Sequence, residues 1–227
     1  MNLDKIASAA RDASLDGWLL YDFRGINHLA LQLLDLPSKS FLSRRWFLFV
    51  PSNGIPTLIC HRIEAGTWQT LTSGVQLEQI VYSSHEELDA ALGRVLASAK
   101  RIAMEFSPRG AVPYVSRIDA GTLEQVREHG VEVVSSADLL QGWLTWDEAD
   151  EAAHDRAVTG VIRAKDAAFA LIDSRLKSQV PITELEVQDL IIRVFAEDGL
   201  VWDHAANVSF AGHAGDPHYE IRSESVV

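Results

Sequence analysis

The densest collection of chemistry-bearing residues in this chain is Gly212-His213-Ala214-Gly215-Asp216-Pro217-His218-Tyr219-Glu220. A neutral imidazole near pH 7 can donate to a developing oxyanion or a substrate carbonyl, and it can exchange a proton. Pro217 fixes the backbone immediately before His218 and limits where that ring can point. Gly212 and Gly215 are expected to supply backbone angles and close approaches that side chains would block. The same residues allow a second reading, a local metal site built from His213, Asp216 and His218. That arrangement is sterically tight, and hard ions prefer more oxygen donors. A third reading is that exposed loop histidines do nothing.

Other catalytic devices are missing. No Gly-x-Gly-x-x-Gly follows a strand, and no Walker-type Gly-Lys-Ser/Thr occurs. There is no Gly-x-Ser-x-Gly elbow, no His-Glu-x-x-His and no cysteine pair for zinc. The absence of these motifs argues against nucleotide binding, serine hydrolysis and zincin chemistry. Arg44-Arg45 could reach a substrate carboxylate, but a solvated turn with a sheet-edge arginine explains them as well.

The elements that must position the loop fall into two styles. From Leu3 to about Gln141 helical and extended patterns alternate, the mark of a mixed sheet with helices on its faces. Leu3 to Leu15 reads as a helix with Ile6, Ala9, Ala10 and Ala13 on one stripe, ended by Gly17. Strands are expected at Trp18 to Tyr21, Arg45 to Val50, Thr57 to His61, Val75 to Tyr82, Arg101 to Phe106 and Val131 to Val134. Pro51-Ser52-Asn53-Gly54 reads as a hairpin turn. Helices are expected at Ile26 to Leu34, from Ser84 to about Ala99, and at Ala120 to Glu128.

After about Gln141 the pattern changes. A capping box of Thr145 and Glu148 is expected to open a helix to about Lys177, with Val158, Val161, Ile162, Ala168, Phe169, Ile172 and Leu176 on its apolar face. Thr183 and Glu186 form a second capping box, whose helix carries Leu190, Ile191, Val194 and Phe195 and ends at Gly199. Trp202 to Ala211 reads as extended. Two helices and one strand cannot bury the face those helices present, so a missing partner segment is expected.

Composition narrows the classes further. Hydrophobic residues at 47% and charged residues at 23% are those of a globular chain. A net charge of -12 argues against nucleic acid, whose binding rests on neutralising phosphates with Lys and Arg. The single Cys60 excludes an intramolecular disulfide and fits a reducing, cytoplasmic setting. The apolar run Trp46-Phe47-Leu48-Phe49-Val50 stops at Pro51, far short of the ~20 residues a membrane helix needs.

The stretch from Trp143 to Tyr219 resembles the start of the pita-bread catalytic domain of the creatinase, prolidase and aminopeptidase P metallohydrolases. The resemblance is carried by the long helix, Thr183-Glu184-Leu185-Glu186, the extended run to Phe210 and Pro217-His218-Tyr219. The first half is similar to the creatinase-type N-terminal domain, through Met104-Glu105-Phe106-Ser107-Pro108 and Val131-Glu132-Val133-Val134-Ser135-Ser136-Ala137-Asp138-Leu139. The resemblance implies an α/β (α+β) fold, with a creatinase-like N-terminal domain at 1–142 and the incomplete start of a pita-bread domain at 143–227.

It also implies an Xaa-Pro-type metallopeptidase acting on small proline-containing peptides, with His218 contacting the substrate and stabilising the tetrahedral intermediate. His213 would line the same pocket. Two divalent ions (Mn, Co or Zn) would be held by two Asp, one His and two Glu, all expected downstream of the loop. No metal ligand is therefore assigned here, and the chain alone is expected to be inactive without a C-terminal catalytic segment. A homodimer, a cytoplasmic location, and no nucleic-acid or membrane partner complete the expectation. The alternatives are a non-catalytic dimerisation or binding module and a creatinase-type hydrolase.

Overall fold

The computed structural model describes residues 1–37 and 42–221 of the 227. The chain divides into two compact units, Met1–Thr145 and Trp146–Val227.

The first unit is built on six strands: β1 (Gly17–Asp22), β2 (Trp46–Pro51), β3 (Thr57–His61), β4 (Glu78–Tyr82), β5 (Arg101–Met104) and β6 (Glu132–Ser135). Their spatial order is β4-β3-β2-β1-β5-β6. β1, β2 and β3 form an antiparallel meander, while β4, β5 and β6 each add in parallel to a neighbour. The sheet is therefore mixed, as expected. Successive strand side chains point to opposite faces, and that alternation sorts the apolar residues into two cores. Trp18, Leu20, Trp46, Leu48, Leu58 and Ala103 pack on one face. Leu19, Tyr21, Phe47, Phe49, Ile59 and Met104 pack on the other.

Helices cover both faces. α1 (Leu3–Asp12), α2 (His28–Leu33), α3 (Ala65–Leu71) and α6 (Ala137–Leu144) contribute to the first core. α4 (His85–Leu96) and α5 (Ala120–Glu128) contribute to the second. Asn2 caps α1 by accepting from Lys5 N–H at 3.1 Å. Ser84 caps α4 by accepting from Glu87 N–H at 3.1 Å. Neither α3 nor α6 stands out in the sequence, because helices of 7 and 8 residues are too short to show a clear periodicity.

Gly17 does not end α1. The left-handed residue after that helix is Ser14, at φ 57°, and Gly17 is instead the first residue of β1. A Cβ there would lie 2.6 Å from the Phe49 ring, so the glycine is needed for packing. The expected strand from Val75 is shorter and begins at Glu78.

Asp22, Glu64 and Glu105 are acidic residues buried in this unit. Glu105 is fully buried and accepts from Trp18 Nε1 at 2.6 Å and Asn27 Nδ2 at 2.8 Å. Burial pushes its carboxyl up to about 7, against the pull of the Trp18 and Asn27 donors.

The second unit is simpler. α7 (Glu148–Lys177) and α8 (Glu184–Glu197) pack on each other. The cap of α7 is Asp147 with Asp150, and not Thr145 with Glu148. Thr145 closes the preceding helix, where its hydroxyl donates to Gln141 O at 3.1 Å. Arg163 ties the helices together by donating to Asp198 Oδ2 at 2.9 Å and Val194 O at 3.2 Å. Gly160 lets the chain return over α7, since a Cβ there would meet Leu200 at 2.6 Å.

The extended run expected at Trp202 to Ala211 forms no strand among the described residues. A strand needs a partner ladder, and side chains take that role here. Gln188 Nε2 donates to Ala206 O at 2.7 Å and Glu184 accepts from Phe210 N–H at 2.7 Å. Ala168, Ile182, Val187 and Val208 form a small core, and much of α7's apolar face is left open. Phe169 and Leu176 are each 65% exposed. No helix among the described residues is long and apolar enough to cross a membrane.

Candidate functional site

The site grows from the first turn of α8. Thr183 Oγ1 accepts from Glu186 N–H at 3.1 Å, and Glu186 Oε2 accepts from Thr183 N–H at 3.0 Å. This capping box fixes where the helix begins and so where Glu184 points. The Glu184 side chain is 1% exposed, which is affordable for a carboxylate only with several donors. It has three. Oε1 takes Phe210 N–H at 2.7 Å and His213 Nδ1 at 3.0 Å, and Oε2 takes the Tyr219 hydroxyl at 2.6 Å.

Burial pushes the Glu184 carboxyl up, but hydrogen bonds from Tyr219, His213 and the Phe210 amide outweigh it and bring the group down to about 2. The helix N-terminus favours the same ionised form. A carboxyl lowered on folding stabilises the fold above its ordinary value, and that contribution disappears as pH falls through about 2.

The loop that follows is shaped differently from expectation. A 3-10 turn covers Ala211–His213. The left-handed residue is Ala211, at φ 45°, and neither Gly212 nor Gly215 has a positive φ. A Cβ on either glycine would meet nothing within 4 Å. The strained position falls one residue before the first glycine, so these two glycines supply neither a special angle nor a close approach.

Asp216 closes the second turn. Its N–H donates to His213 O at 3.0 Å, and its Oδ1 accepts from His218 N–H at 2.9 Å. Asn207 Nδ2 reaches Pro217 O at 3.4 Å.

The two histidines meet different fates. His213 is drawn onto Glu184 and stacks on Tyr219, with ring centroids 4.3 Å apart and planes 17° apart. His218 is exposed, and its backbone amide is what holds it to the turn. No hydrogen bond or ring contact joins the two imidazoles among the described residues. Arg45 is half-buried and turned toward Gln125, 3.4 Å from its Oε1, and it leads into β2, an interior strand, so it does not lie at a sheet edge.

No family model and no curated protein matches the chain by sequence. Among solved structures, dipeptidase PepE from Mycobacterium ulcerans aligns with 96% of this chain at a TM-score of 0.59 and 21% identity.

The chain has the fold of that dipeptidase.

The chain spans about half of that dipeptidase, 54% of its length. Weaker likenesses include the creatinase/prolidase N-terminal domain of an X-Pro dipeptidase from Streptococcus pyogenes, at TM-score 0.44 and 18% identity, covering 62% of this chain and 97% of that one. The prolidase from Pyrococcus horikoshii has TM-score 0.45 and 14% identity, covering 87% of this chain and 48% of its own.

No group of three or more His, Cys, Asp or Glu side chains among the described residues is placed to hold a metal ion. His213, Asp216 and His218 do not converge: Glu184 claims His213, and Asp216 spends its carboxylate on the His218 amide. The described residues do not fit a two-metal centre.

The residue that sequence reasoning passed over is Glu184. It stands inside the quoted Thr183-Glu186 motif, yet an acidic residue in a first helical turn is ordinary, and its burial depends on a loop 26 residues away. A carboxylate flanked by the buried Ile182 and Val187 was the available signal.

Proposed function

We propose that this chain is the front part of an Xaa-Pro-type metallopeptidase, a proline dipeptidase or aminopeptidase P-like enzyme that cleaves the bond before proline. The observation that carries the reading is the likeness of 96% of the chain to a dipeptidase of which it covers 54%. The open apolar face of α7, with Val161 at 51% and Phe169 at 65% exposure, supports it by calling for a further layer of structure. In this reading residues 1–142 form a creatinase-like N-terminal domain and residues 143–227 begin the pita-bread domain.

His218 is the substrate-side imidazole. Exposed on a turn braced by Asp216, it donates a hydrogen bond to the scissile carbonyl oxygen as negative charge builds there. His213 lines the same loop. The two divalent ions (Mn, Co or Zn) the reading calls for would be bound by residues outside 1–227. A homodimer in the cytoplasm belongs to the same proposal.

The test begins with the gene. A reading frame that continues with the required Asp, Asp, His, Glu and Glu supports the proposal, and a native stop codon after Val227 overturns it. The protein from the continued frame, supplied with manganese, is then assayed on an Xaa-Pro dipeptide, an Xaa-Pro tripeptide and creatine. Hydrolysis of either peptide is expected. Turnover of creatine alone would make it a creatinase-type hydrolase. His218→Ala is expected to lower kcat/KM by about 10²–10³-fold, the loss seen when one oxyanion donor is removed.

A further inference from the structure

We infer that Glu184 and His213 form a carboxylate–imidazole dyad in which Glu184 is the positioning residue and His213 Nε2 is an outward-facing acceptor for a substrate N–H or ammonium group. The argument starts from the carboxylate. Glu184 is buried and meets donors on both oxygens. In its ionised form it can only accept, so the His213 nitrogen 3.0 Å from Oε1 must carry the hydrogen. That nitrogen is Nδ1. A neutral imidazole with its proton on Nδ1 has a lone pair on Nε2, because the bond made by one ring nitrogen sets the state of the other.

Three further contacts hold the pair, two on the carboxylate and one on the ring. Phe210 N–H, on the N-terminal side of the loop, takes the same carboxylate oxygen as His213. The Tyr219 hydroxyl, on the C-terminal side, takes the other. The Tyr219 ring then lies flat against the imidazole at 4.3 Å, which prevents rotation about the Nδ1 hydrogen bond. The His213 side chain is nevertheless 47% exposed, whereas Glu184 beneath it is closed off. A buried carboxylate that orients a half-exposed imidazole is how a protein presents a basic nitrogen to a ligand. Tyr219 directly follows His218, so the dyad also anchors the turn that displays the substrate-side histidine.

The incoming donor group is the only part of this inference that rests on the peptidase reading; the dyad is a property of residues 184 to 219. It is tested on the full 227-residue chain, without metal or substrate. The ring nitrogens of His213 are read by long-range 1H–15N correlation at a pH well above the ordinary histidine range, with assignment by loss of signals in His213→Ala. The Nδ1–H tautomer is expected. E184Q is expected to restore the commoner Nε2–H form, while Tyr219→Phe, which keeps the carboxylate and the stack, retains Nδ1–H.

An Nε2–H tautomer in the unmodified chain overturns the dyad, as does an Nδ1–H tautomer that survives in a folded E184Q. If E184Q does not fold, Tyr219→Phe and the unmodified chain decide the matter by the same signals. Failure of the continued-frame enzyme to cleave Xaa-Pro peptides would sink the peptidase reading and leave the tautomer result standing, so the two are separable.

Discussion

Helix α1 in the first unit and helix α7 in the second are both amphipathic, yet their apolar faces end differently. Ile6 and Ala10 of α1 are wholly buried against a sheet. On α7 the deeply buried positions are Gly160, Ala164 and Ala168, while Val161, Ile162 and Phe169 stand about half exposed or more. The contrast is a matter of layers. The first unit has a sheet whose alternating side chains supply a partner surface on both faces, so each covering helix finds a core. The second has two helices and a stretch without strand pairing, enough for a small core around Ala168 and Val187. Amphipathic periodicity states what a helix needs to bury, and a second layer decides whether it succeeds.

The largest expected break in this comparison is Trp18→Ala. Trp18 is fully buried, stacks edge-on against Trp143 at 5.6 Å and donates to Glu105 at 2.6 Å. Its truncation should cost the first unit about 3–5 kcal/mol, read as a lower urea midpoint. A cost below 1 kcal/mol would mean that the two-sided core is not closed.

The next largest concerns Glu105. Its folded carboxyl lies at about 7 against an ordinary 4.5, so the folded state holds a proton that the unfolded state releases between those values. Stability therefore falls as pH rises from about 4.5 to about 7, by on the order of 3 kcal/mol, and levels off above. Glu105→Gln should flatten that slope in urea titrations at a series of pH values. An unmodified protein with equal stability at pH 4.5 and 7 would show that the core tolerates the charge.

A smaller effect is expected at Gly17. The Cβ of Gly17→Ala would fall 2.6 Å from the Phe49 ring and 2.7 Å from Val50 O, an overpacking cost of about 1–3 kcal/mol. The melting temperature should fall accordingly, whereas Gly212→Ala, where a Cβ meets nothing within 4 Å, should leave it unchanged.

These positions also show what the sequence could reveal. β3 falls at Thr57–His61 as read, and Thr183 with Glu186 caps α8 as read, because strand alternation and capping boxes are local codes. Gly17 was legible as special but not for its reason, since the Phe49 ring that requires it lies in another strand. The helix α3 around Trp68 was too short for periodicity to mark. In the candidate site, His213 and His218 were visible as residue types in a turn. That Glu184 claims one and leaves the other exposed depends on contacts across 29 residues, which no local pattern encodes.

The smallest expected effect tests the open face itself. Phe169 is 65% exposed on α7, so Phe169→Ser removes little buried contact in this chain. Its folding stability should change by no more than about 0.5 kcal/mol, as for surface substitutions elsewhere. Exposed apolar side chains on one helix face should instead drive association. Sedimentation of the 227-residue chain over a range of concentrations should therefore show self-association that weakens in Phe169→Ser. A loss of 2 kcal/mol or more on substitution would mean that the ring is already covered, and the contrast between α1 and α7 would fail.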